Sequence, residues 1–157
     1  PGGSPIGEPT RFVIGVVANQ GAVDEGRELE RFMWKVDAGA EFVVTQPVFD
    51  PARLRAFLER TAEWPVPVIA GLWPLTSLRN AEFLANEVPG VHVPERVLRR
   101  MELAQAESRE AAEAEGVRIA LEAYREVADI VAGVHITAPG GDVSRALAVL
   151  EGVDALG

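Results

Sequence analysis

Apolar residues in this chain fall into short unbroken runs separated by stretches with helical spacing. Phe12 to Ala18 (FVIGVVA) is continuous and β-branched, the pattern of a strand covered on both faces. Asn19-Gln20-Gly21 interrupts it. From Asp24 the spacing changes, with Leu29, Phe32, Met33 and Val36 recurring at helical intervals and Gly39 standing where a helix would stop. A second strand runs from Phe42 to Thr45 and ends in Gln46-Pro47. Asp50-Pro51 then offers an N-cap and a first-turn proline to a helix with Leu54, Phe57 and Leu58 on one face, closed by Trp64-Pro65.

The third strand is Val66 to Gly71, left through Leu72-Trp73-Pro74. A helix over Ser77 to Val88 follows, then a crossover from Pro89 to Pro94 and a short helix through Val97, Leu98, Met101 and Ala104. Glu107 to Glu115 is almost all Glu, Ala and Arg and reads as solvated helix surface. Ile119, Ala120, Ala123, Val127 and Ile130 form a buried stripe. Val134 to Thr137 is the fourth strand, and Ala138-Pro139-Gly140-Gly141 leads into a last helix carrying Ala146, Leu147 and Leu150.

Four alternations of strand and helix define an α/β chain with a parallel sheet covered by helices. Two architectures satisfy that pattern: an open doubly wound sheet, or part of a (β/α)8 TIM barrel, which normally needs about 250 residues. A chain of 157 residues favours the open sheet on length alone and forms one domain. Pro1 to Pro9 is rich in Gly and Pro, so residues 1–11 read as a linker or arm and 12–157 as the folded unit.

Composition narrows the chemistry. At 48% hydrophobic and 25% charged residues the chain is too apolar for disorder. Its net charge of -9 repels nucleic-acid phosphates and anionic lipid surfaces, so neither partner is expected. Cysteine is absent, and with only His92 and His135 available no metal site is expected. No apolar run reaches the roughly 20 residues of a membrane span and Pro1 to Thr10 lacks a signal layout, which points to the cytoplasm.

In either architecture ligands bind beyond the carboxyl ends of the strands. The exit loops there hold Asn19-Gln20, Thr45-Gln46, Leu72-Trp73-Pro74 and Thr137 to Gly141: amides, hydroxyls and an indole, with no nucleophile and base. That set suits a flat heterocycle, because a glutamine amide offers both donor and acceptor to ring N–H and C=O groups. Gln46, directly after a buried strand, is the sharpest candidate; the competing reading has it bonded to neighbouring loop backbone. Gly140-Gly141-Asp142 reads better as a capped turn than as a phosphate cradle, since Asp142 repels an anion. Glu28, Arg31 and Lys35 share a helix face that spacing alone makes solvated. Trp34 and Trp64 suit core or interface, Trp73 a stacked ligand, and the two histidines structural roles.

GAEFVVTQPVFD at Gly39 to Asp50 and AGLWPLTSLRNAEFLANEVPGVHVP at Ala70 to Pro94 closely resemble methylenetetrahydrofolate reductase. SPIGEPTRFVIGV and SLRNAEF are most similar to the reductase portion of the bacterial bifunctional homocysteine methyltransferase/methylenetetrahydrofolate reductase. The resemblance, over about Ser4 to Gly152, implies a (β/α)8 TIM barrel of which this chain supplies about the last four β/α units, displacing the length argument. It implies FAD as cofactor, NADH or NADPH as reductant and methylenetetrahydrofolate as substrate. Gln46, Asn80, Phe83 or Leu84, and Thr137 fall at its folate and nicotinamide positions; Asn19, Glu28, Arg31 and Lys35 fall at its FAD positions. A family arginine after the last strand has no counterpart at Gly140-Gly141, leaving Arg145 as a substitute. The glutamate general acid and the aspartate near flavin N1 belong to the first half, so no catalytic residue is expected here. The missing half-barrel, or a second copy forming a homo-oligomer, is the expected partner; a non-catalytic self-associating half-barrel and a heterocycle-binding module are the rivals.

Overall fold

The computed structural model describes Gly7 and residues 11–156; most of the expected arm, residues 1–6 and 8–10, lies outside the described residues. Four strands, β1 (Gly15–Ala18), β2 (Phe42–Pro47), β3 (Val68–Leu72) and β4 (Gly133–Ile136), form one sheet in the order β1-β2-β3-β4. Every neighbouring pair is parallel. Helices α1 (Glu25–Asp37), α2 (Pro51–Arg60), α3 (Leu78–Glu87), α4 (Glu95–Glu107), α5 (Arg109–Val127) and α6 (Ser144–Asp154) connect and flank the strands. The strand order never reverses, so right-handed crossovers carry the connecting helices to one face of the sheet. A doubly wound sheet would show a reversal, so the doubly wound topology expected from length is corrected, while the four described strands form an open sheet.

Alternation along the strands separates the two faces. Val43, Ala70, Leu72, Val134 and Ile136 point at the helices, where they meet Phe32 and Phe57, Val127, and Val149 in contiguous clusters. The Phe32 and Phe57 rings meet edge to face at 5.4 Å, fastening α1 to α2. Val17, Val44, Gln46 and His135 occupy the other face. Helix starts use local capping: Asp24, Ser77 and Ser108 side chains accept the N–H groups of Arg27, Asn80 and Ala111. Gly39, at φ 100, ends the α1 turn as its sequence position implies.

The structure departs from the sequence pattern at several places. The first strand is Gly15–Ala18 only, and Phe12, Val13, Ile14 and Val17 are exposed because, among the described residues, β1 has a neighbour on one side alone. Asp50 precedes α2 but makes no cap bond; its carboxylate lies 3.6 Å from Arg53 and 3.5 Å from His92 Nε2. Burial, helped by the Arg53 charge, lowers the His92 pKa. The Glu107 to Glu115 stretch is not all solvated surface: Ser108 breaks it into two helices, and Glu115 is buried beside Arg100 and Arg118, both at 2.5 Å. Arg100 also bonds Glu122, whose carboxyl it holds below its ordinary value, so these charges pin α4 to α5. In α6 the buried residue is Val149, whereas Leu147 and Leu150 face outward with Val143. Among the described residues no helix is long and apolar enough to cross a membrane, and no cluster of metal-ligating side chains occurs.

Candidate functional site

The site is built at the carboxyl ends of the strands, where β2 carries an irregularity. Val44 pairs with Ile69 and Pro47 with Gly71, so β2 spends one residue more than β3 over the same span. Gln46 sits in that bulge. Its backbone carbonyl accepts from Gln20 Nε2 at 2.9 Å and from Thr45 Oγ1 at 2.8 Å. Its side-chain carboxamide bonds to no other described residue and lines a cleft of about 270 Å³. The loop-bonded alternative is thus met by the backbone of Gln46, and the amide is left available to a ligand.

Val17, Val44, Phe83, His135 and Thr137 complete the cleft wall. α3 places two neighbouring side chains differently: Phe83 is 53% exposed, whereas Leu84 is 1% exposed and belongs to the core. Both touch the cleft, but only Phe83 has a ring face free to pack on a ligand. Thr137 is fixed just beyond β4 by its N–H donating to Leu72 O at 3.0 Å. Asn80 stands to one side, in a broader cleft of about 720 Å³ that shares Trp73 and Thr137 with the first. Its side-chain oxygen accepts from Trp73 Nε1 at 3.2 Å and from Thr76 N at 3.3 Å, which leaves its amide N–H groups for other partners. Arg145 lies deeper in that cleft against Glu113 and Asp142, at 3.1 and 3.2 Å, with its Nε unpartnered. Gly140 and Gly141 form a left-handed turn, and Asp142 accepts from the Ser144 N–H and hydroxyl, bonds that lower its pKa, just before α6, whose N-cap Val143 makes no side-chain cap bond.

The charged strip on α1 is a second assembly. Glu28 is buried, which corrects the solvated face that spacing alone implies, and accepts the Asn19 N–H at 3.1 Å. Lys35 lies 3.7 Å from Glu28 and donates to the Val17 carbonyl at 2.6 Å; Arg31 sits 3.9 Å from Glu28 with its side chain half exposed. Asn19, Glu28, Arg31 and Lys35 therefore gather around the carboxyl end of β1, at the open edge of the sheet, apart from Gln46. Sequence reasoning named Gln20 and Thr45 only as exit-loop residues, without the bonds they make to Gln46, and gave His135 a structural role although it borders the cleft. The last was findable, since alternation in VHIT puts His135 opposite the helix-facing Val134 and Ile136.

These features define an α/β protein with an amide-bearing cleft beyond the carboxyl ends of a parallel sheet. The chain belongs to the methylenetetrahydrofolate reductase family, whose model matches residues 12–144. No curated relative matches it. Among solved structures it is similar, with a TM-score of 0.68 at 16% identity, to an uncharacterized protein from Clostridium thermocellum that binds two copies of 5-methyl-5,6,7,8-tetrahydrofolic acid. That match takes in 93% of this chain but 55% of the other, so this chain spans little more than half of that fold.

Proposed function

We propose that this chain is the carboxyl-terminal half of a flavin-dependent methylenetetrahydrofolate reductase barrel, reducing 5,10-methylenetetrahydrofolate to 5-methyltetrahydrofolate with NADH or NADPH. The observation that carries the reading is the unpaired Gln46 carboxamide, aimed into a cleft flanked by Phe83, in a member of this family. A reduced pterin presents ring N–H and C=O groups side by side, and a single carboxamide complements both. The folate bound by the similar structure supports the same ligand class. Phe83 would pack on the rings, Leu84 would back it from the core, and Asn80 and Thr137 would bond the ligand where the two clefts meet.

The α1 assembly fits the polar half of FAD. Lys35 and Arg31 would supply cationic donors for a diphosphate, and Asn19 and Glu28 would offer an amide and a carboxylate to hydroxyl groups. When bound, the flavin supplies hydride acceptance and donation, and the protein binds and orients. Gln46 would hold folate and nicotinamide in turn at one place, so the two occupy the site alternately.

Completion of the barrel is part of this reading. The unreversed strand order, two strand edges that are unpaired among the described residues and the 55% span of the similar fold all support four further β/α units, from the same protein or a second copy. A cytoplasmic, homo-oligomeric protein, with or without an upstream methyltransferase domain, accords with it. The rival reading, a self-associating half-barrel without catalysis, draws on the exposed apolar residues at both edges. Replacing Gln46 by Ala in the intact enzyme separates them: the folate half-reaction should slow far more than FAD binding weakens. Equal flavin oxidation rates in stopped flow would remove Gln46 from the site.

A further inference from the structure

The bulge that presents Gln46 is held by a side chain standing in for a missing rung of the ladder. In a regular parallel pair the Gly71 N–H would donate to a β2 carbonyl. Here it donates to Thr45 Oγ1 at 2.9 Å, and that hydroxyl donates onward to the Gln46 carbonyl at 2.8 Å. The ladder resumes at once, with Val48 N–H donating to Gly71 O at 2.9 Å. From the β1 exit loop, Gln20 Nε2 grips the same Gln46 carbonyl at 2.9 Å. Thr45 is 6% exposed, so its hydroxyl has no water to compensate for a lost partner. Gly71 permits the approach, because a Cβ there would stand 2.8 Å from Thr45 O and 3.2 Å from Gln46 O.

Two donors on one carbonyl fix the Gln46 peptide plane, and the direction of its side chain follows from that plane. We infer that Thr45 is a positioning residue for ligand recognition, aiming the Gln46 carboxamide into the cleft through its hydroxyl relay, with Gln20 as second anchor. The inference rests on the reading of Gln46 as a ligand contact. It adds that recognition depends on a buried hydroxyl whose two hydrogen bonds both go to backbone groups, in a residue that itself borders the cleft.

The test is a double-mutant cycle in the full-length protein, reading 5-methyltetrahydrofolate affinity by calorimetry. Thr45→Val keeps the β-branched shape and removes both bonds, and should weaken binding about tenfold. Thr45→Ser keeps the hydroxyl and should stay within about twofold of the parent. In a Gln46→Ala background Thr45→Val should cost less than about twofold, because nothing remains to be aimed. An equal loss in both backgrounds, or no loss in either, overturns the inference and makes Thr45 purely structural. Should Thr45→Val fail to fold, Gln20→Leu removes the second anchor and must show the same dependence on Gln46. If Gln46→Ala alone leaves affinity intact, the reading of Gln46 is what fails, whatever Thr45 does.

Discussion

Neighbouring residues on one helix can carry unrelated burdens, and Phe83 and Leu84 show it. Leu84 fills the core with Val91, Val97 and Met101, so Leu84→Ala removes packed methyl groups and should cost about 2–5 kcal/mol in urea unfolding. Phe83→Ala removes a half-exposed ring and should change stability by less than about 0.5 kcal/mol while weakening folate binding. A large stability loss for Phe83→Ala would make it a core residue and withdraw it from the ligand. The family resemblance left the two positions interchangeable, because sequence gives which residues are adjacent and not which one a neighbouring element covers. Gln46 was legible, since a polar side chain directly after a buried strand has few places to go. Thr45 was not: its hydroxyl acts through a register shift between two strands, which no local pattern in TQP encodes.

At the scale of elements, packing decides signs that propensity gets wrong. Glycine inside a helix normally loses about 1 kcal/mol to alanine. Gly116 lies inside α5, buried, where a Cβ would collide with the carbonyl oxygen of Leu75 in the loop after β3. Gly116→Ala should therefore destabilise the fold by about 2 kcal/mol or more, because backbone cannot step aside as a flexible side chain can. A raised urea midpoint would show that α5 does not approach the loop so closely. The sequence revealed the stripe Ile119, Ala120, Ala123 and Val127 correctly, since one helix face repeats regularly, while Ile130, also expected in it, lies beyond the helix end and is only half-buried. It misread α6, which has two apolar faces. Val149 and Val153 meet α5 and β4, and Leu147 and Leu150 do not, a choice fixed by where β4 turns into the helix.

On the scale of the whole molecule, the apolar segments misread as buried lie at the two edges of the sheet. Phe12, Val13, Ile14 and Val17 are exposed along the β1 edge, and Leu147 and Leu150 on the helix that flanks the β4 edge. Their apolar character, read from sequence as burial, is unspent in this chain. An unpaired parallel strand beside exposed aliphatic side chains is a template for further strands. The net charge of -9 slows association without satisfying either edge. The chain by itself should therefore sediment as concentration-dependent species heavier than its 16.9 kDa. A charge on the inward face of the edge, Val17→Lys, should push it toward monomer, and, on the half-barrel reading, four complementary β/α units supplied in trans should replace self-association with a defined heterodimer. Flavin binding gives the second readout, because Lys35 and Glu28 clamp the carboxyl end of β1 where the next strand would join. Quenching of FAD fluorescence should accompany the assembled species and vanish with Val17→Lys. A stable monomer at every concentration would mean that these edges need no partner, and the half-barrel reading would fall with the association.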